Sequence, residues 1–183
     1  MRYTILTLTA LGAILLAACV PSLHPLYTES DLVSDSLLVG IWTNESGSEV
    51  WEFSEAEGKS YELAYAKDRT PAHFEARLVR LNGRLFLDTY PDEKIENDFL
   101  ELHLVPAHVF GRVWLAADTL RMSLLDGDWL RRLIDKGEVE IGHEDVDDAL
   151  VLTASTEELQ KLVRKYADDA EAFAEPEVLT RRR

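Results

Sequence analysis

This chain is short of cysteine. Its 183 residues hold one, Cys19, so no disulfide can close within the chain and no Cys-based zinc site can form. It is short of positive charge as well: 19 Lys and Arg stand against 34 Asp and Glu, for a net charge of −15. Nucleic acid rewards clustered Lys and Arg, so no nucleic-acid partner is expected. The same balance disfavours broad contact with anionic lipid headgroups. No apolar run reaches the ~20 residues that a membrane-spanning helix needs. The short signatures of common enzymes are missing too: Gly-x-Ser-x-Gly, Ser-x-x-Lys, His-Glu-x-x-His and a phosphate-binding glycine loop. The expectation is a protein that is not an enzyme and needs no cofactor.

What is present begins at the N-terminus. Met1-Arg2-Tyr3 is a short basic head, Ile5 to Ala13 is uncharged and mostly apolar, and Ile14 to Ala18 is wholly apolar. Small residues precede Cys19, and Pro21 follows soon after. That layout predicts a secretory signal peptide over residues 1–18. Leu16-Ala17-Ala18-Cys19 resembles the lipobox of bacterial lipoproteins. The resemblance implies recognition of Leu16, Ala17 and Ala18 by the lipoprotein signal peptidase and cleavage before Cys19. It also implies a diacylglycerol thioether on Cys19 and an acyl chain such as palmitate on the new amine. Each buried CH₂ contributes roughly 0.8 kcal/mol, and two or more chains anchor stably where one does not. The implied location is a cell membrane, reached through lipid on Cys19. Val20, where an inner-membrane lipoprotein often has Asp, favours the outer membrane of a two-membrane cell. Arg2 is the only charged side chain before Cys19, so cleavage would take the net charge from −15 to about −16. The expectation is an acidic domain held off the surface that its lipid enters.

Residues 19–39 read as the lipidated cysteine and a tether. Leu23, Leu26 and Tyr27 are bulky for a flexible linker, which predicts that the tether packs onto the domain. Ser22-Leu23-His24-Pro25-Leu26-Tyr27, then Asp31-Leu32-Val33 and Gly40-x-Trp42, is similar to the opening of a set of uncharacterised bacterial lipoproteins.

From Gly40 the periodicity becomes two. Strands are predicted at Gly40–Thr43, Glu49–Phe53, Ser60–Ala66, Phe74–Leu81, Arg84–Tyr90, Phe99–Val105, His108–Leu115 and Thr119–Leu125. Asn82-Gly83 is the strongest hairpin signal, because both residues tolerate positive φ. Helices follow, one capped by Asp126 or Asp128 and stopped by Gly137, one opened by the capping box Ser155-x-x-Glu158. Short strands are predicted at Val139–Ile141 and Leu150–Leu152, and residues 176–183 as a frayed tail. The expected fold class is α+β: an antiparallel meander or small barrel of about eight strands, then a C-terminal helical part, in one domain over residues 40–175.

Gly40-x-Trp42 at the head of this meander resembles the first-strand signature of lipocalins. The resemblance implies that Trp42 closes a barrel base against an Arg from a late strand, with Arg112 and Arg121 as the candidates, and that the barrel holds a small apolar ligand. The other lipocalin signatures are absent, and a Trp that merely packs the core is the simpler reading. His103 and His108, with Glu101, would hold a divalent metal only if Pro106 bent the chain between them; no metal site is expected. Asp126-Gly127-Asp128 and Glu144-Asp145-x-Asp147-Asp148 lack calcium-loop spacing and read as a helix cap and a solvated loop. Taken together, the residues predict a membrane-anchored envelope lipoprotein that binds a protein partner or a small apolar ligand. A hydrolase with an unfamiliar site is the remaining alternative.

Overall fold

Alternating side chains build a wall that is covered on both faces along β4, β5 and β6. The computed structural model describes residues 19–147, 149–173 and 175–182. The strands run in chain order β1 (Gly40–Thr43), β2 (Glu49–Glu55), β3 (Ser60–Lys67), β4 (Thr70–Leu81), β5 (Arg84–Pro91), β6 (Val109–Leu115), β7 (Thr119–Leu124), β8 (His143–Val146), β9 (Ala149–Leu152) and β10 (Glu177–Arg181). Eight of them close an antiparallel barrel in the ring order β1-β10-β7-β6-β5-β4-β3-β2, while β8 and β9 form a separate hairpin. One alternate set, with Trp42, Phe53, Leu63, Leu78, Leu87, Leu120 and Leu179, fills the barrel. On β4, β5 and β6 the other set is buried as well. Val79, Leu81, Phe86 and Phe110 lie under an outer layer made by Leu26 and Leu32, α2 (Gly127–Asp135) and α3 (Thr156–Tyr166).

Turn chemistry sets the register. Asn82 and Gly83 have φ of 50° and 77°, as a two-residue hairpin of this hand requires. Asp68 and Arg69, at 49° and 71°, make a second such turn without glycine. The first residues of β4, Thr70 to His73, pair only with β3, so the sheet tolerates Pro71 and its missing N–H. The Asp126 side chain accepts from Trp129 N–H to start α2, and the Ser155–Glu158 capping box opens α3.

The eight-strand count holds, but its membership changes. Phe99–Val105 is no strand. The Asn97 side chain accepts from Leu100 N–H and starts a single helical turn, α1 (Asp98–Glu101), and the segment stays outside the barrel. Residues 177–181 replace it. The expected frayed tail is β10, paired with β1 on one side and β7 on the other. The helical part therefore lies between two barrel strands and does not follow the barrel. Val139 and Ile141 are buried but form no strand; β9 pairs with His143–Val146 instead.

Residues 20–39 leave no spacer between Cys19 and the barrel. Val20, Ser22, Leu26, Leu32 and Leu38 are all buried. Ser22 and His108 exchange two main-chain hydrogen bonds of 2.8 Å. The buried Asp88 carboxylate accepts from Leu26 N–H at 2.7 Å through one oxygen and bonds His108 Nδ1 at 2.7 Å through the other. Gln160 on α3 donates to the Leu26 carbonyl at 2.9 Å. The expected signal peptide, with Leu16, Ala17 and Ala18, lies outside the described residues. Among the described residues no helix is long and apolar enough to cross a membrane.

Candidate functional site

The barrel is closed at one end and hollow toward the other. At the closed end the Trp42 indole N–H donates to the Leu38 carbonyl at 2.8 Å, and the Arg181 guanidinium lies over the Trp42 ring at 4.1 Å. Arg181 also donates to the carbonyls of Val39 and Ala117, each at 2.7 Å, and to that of Leu37. One side chain thus bonds three carbonyls and ties two connecting segments, the one before β1 and the β6–β7 turn, across the base. Gly40 must be glycine for this: its φ is 130°, and a Cβ there would lie 2.5 Å from an Arg181 nitrogen. The arginine partners predicted for Trp42 are displaced. Arg112 and Arg121 lie on β6 and β7, where both guanidiniums pack on Trp114, at 4.6 and 5.3 Å. Arg181 occurs on β10, the strand that was read as tail, so it was missed.

Toward the other end the barrel holds a cavity of about 280 Å³. Its walls are Trp51, Leu63, Phe74, Leu87, Met122 and Leu124. Gly111 on β6 helps keep it open. Gly111 points inward, and a Cβ there would meet the Ser123 carbonyl oxygen at 2.8 Å. Glu49 begins β2, Lys67 ends β3, Val109 begins β6, Leu124 ends β7 and Glu177 begins β10. Antiparallel alternation places all five on one rim, and all five line the cavity.

The rim is polar where the wall is not. Lys67 Nζ pairs with Glu49 Oε1 at 2.8 Å, and this partner raises the Lys67 ammonium above its ordinary value. Burial first, then the neighbouring Glu49 carboxylate, push the Glu177 carboxyl up to about 7. Burial and the Glu49 charge also raise the Tyr65 hydroxyl. Trp51 packs edge-on to Tyr65 at 4.8 Å, and its buried indole nitrogen has no hydrogen-bond partner among the described residues. The site therefore offers an apolar body, a carboxyl that titrates near neutrality, an ammonium and an indole. These polar residues were missed, although their signal was present. Glu49 is in phase with Trp51 and Phe53, and Lys67 with Leu63 and Tyr65, so alternation alone pointed both inward.

Cys19 lies at this same rim. It lines the cavity and forms a β-bridge with Asp126 at the end of β7, and burial raises its thiol. His103 and His108 serve separate local contacts. His103 Nδ1 bonds the Phe99 carbonyl in the exposed connector at 2.6 Å, whereas His108 is held by Asp88. Among the described residues no group of three His, Cys, Asp or Glu is placed to hold a metal ion. A scan against protein-family models found no match, and searches of curated proteins and of solved structures found none either.

Proposed function

We propose that this chain is a non-enzymatic, lipid-anchored protein of the bacterial cell envelope that carries a small ligand in its barrel. The observation that supports this reading best is the apolar cavity whose open rim includes Cys19. Its volume of about 280 Å³ is near the lower end of the ~300–1,000 Å³ common for ligand pockets. The ligand is therefore a small amphiphile. Its apolar body rests on Trp51, Phe74 and Met122, and its polar end meets Glu49, Lys67 and Glu177. A barrel base closed by a Gly-x-Trp motif and a last-strand arginine adds support, because it matches the arrangement that the lipocalin resemblance implies. The lipobox supplies the anchor, and Val20 after Cys19 favours the outer membrane.

Two experiments test the parts separately. The neutral probe N-phenyl-1-naphthylamine should gain fluorescence with the wild-type chain. Val109→Trp, which fills the rim of the cavity, should abolish the gain while far-UV circular dichroism stays unchanged. Equal probe binding by both proteins would exclude the barrel as the ligand site. For the anchor, Cys19→Ser should leave an uncleaved chain that incorporates no labelled palmitate in a bacterial host. Unchanged labelling of that variant would refute attachment at Cys19.

A further inference from the structure

The connector 92–108 leaves β5 and re-enters β6 at the cavity rim. Phe99, Leu102 and Val105 are 74, 82 and 76 % exposed, more than any other large apolar side chain among the described residues. Leu100 and Leu104 between them are half exposed. Residues 97–104 of this connector form a hydrogen-bonded turn. Asn97 caps α1, His103 bonds the Phe99 carbonyl, and the His103 ring packs on Phe99 at 4.7 Å. An ordered turn that presents its apolar side chains outward is built to meet something apolar.

The chain itself indicates what that is. The lipobox resemblance implies acyl chains on Cys19, and Cys19 lies on this same rim. His108, where the connector ends, is bonded to Ser22, three residues beyond Cys19. Val20 is buried, so no slack separates the attachment point from the domain. An acidic domain held off the membrane, as the charge balance predicted, is incompatible with so short a link. The connector's own charges narrow the surface. Asp92, Glu93, Glu96, Asp98 and Glu101 outnumber the connector's one basic residue, Lys94, which disfavours anionic headgroups.

We propose that residues 99–105 insert into the acyl layer of a bilayer rich in zwitterionic lipid, so that the barrel docks with its cavity mouth on the membrane. This rests on the reading of Cys19 as the point of membrane attachment. The ligand would then pass between bilayer and barrel without crossing water.

The test uses the full chain carrying Leu102→Cys, labelled with a nitrobenzoxadiazole maleimide and reconstituted into phosphatidylcholine vesicles. Asn82→Cys, at the opposite end of the barrel, is the control. The label at 102 should shift to the blue, brighten severalfold and be quenched by lipids spin-labelled in their acyl chains. The label at 82 should do none of this, and replacing half of the lipid by phosphatidylglycerol should weaken the response at 102. A label at 102 that stays in water while the protein floats with the vesicles overturns the proposal. So does a shift that grows with protein concentration without lipid, which would assign the connector to a second copy of the chain. Palmitate labelling reads the anchor independently. If Cys19 carries no lipid, the anchor reading fails by itself, and the label is read on the Cys19→Ser chain mixed with excess vesicles. A shift there upholds insertion; its absence overturns it.

Discussion

Glu177→Gln is expected to make the protein more stable, and only above a definite pH. The Glu177 carboxyl titrates near 7 in the folded protein, against 4.5 for an ordinary glutamate. Between those values the folded state holds a proton that the unfolded state has lost, so stability falls as pH rises through this window. Below it both states are protonated and the cost vanishes. Above it both are ionised and the cost is complete. The gap between 4.5 and about 7, at ~1.36 kcal/mol per pH unit, sets a ceiling of about 3 kcal/mol. The group is only half-buried, and solvent screening brings the figure to about 1 kcal/mol. Glutamine keeps the shape and can still donate to Glu49, as the protonated acid does. Urea unfolding of both proteins at about pH 4, 6 and 8 should give a difference near zero, then intermediate, then about 1 kcal/mol in favour of the variant. A difference that stays flat with pH, or that favours wild type at pH 8, would refute this account of the rim.

Three further changes probe the frame around the cavity. Asp88→Asn should cost about 2–3 kcal/mol in urea unfolding, because a buried charge-assisted acceptor for Leu26 and His108 is lost; limited proteolysis should then cut residues 20–30 faster. Arg181→Lys should cost about 1–2 kcal/mol, because one ammonium cannot bond three carbonyls and stack on Trp42 together; near-UV circular dichroism should report the loosened tryptophan. Arg69→Gly should raise the thermal midpoint, contributing about 0.5–1 kcal/mol, since the exposed Arg69 sits in the left-handed region at φ 71°.

Most of the barrel wall was legible because period-two alternation reports which side chains share a face. Tyr61, Leu63 and Tyr65 share one, as do Phe74, Ala76 and Leu78, and these residues fill the interior or line its cavity. The same rule misled at Leu100, Leu102 and Leu104. Alternation shows that a segment is two-faced, not that the apolar face turns to the protein core. β10 was hidden for the opposite reason. Its inward residues are Glu177, Leu179 and Arg181, and two of the three are charged because one belongs to the polar rim and the other to the base. The pairing of Trp42 with Arg181 had no local signal at all, since it depends on which strand closes the ring. The lipocalin resemblance implied a ligand-holding barrel, but no residue pattern located the cavity, which arises where Gly111 and its neighbours leave space, a property of several strands together.

The ring closes through a short seam. β1 meets β10 at Trp42 and Arg181 and at Thr43 and Thr180. The strand nearest the N-terminus thus waits for the strand nearest the C-terminus, and every other barrel strand lies between them. Contacts so distant along the chain are slow to form, since the loop they close is nearly the whole domain. Until they form, β1 and β7 stand as open edges able to pair with another chain. A chain that is still being made cannot close its barrel. Removing the last strand would leave an open sheet with a hydrophobic interior, prone to aggregate.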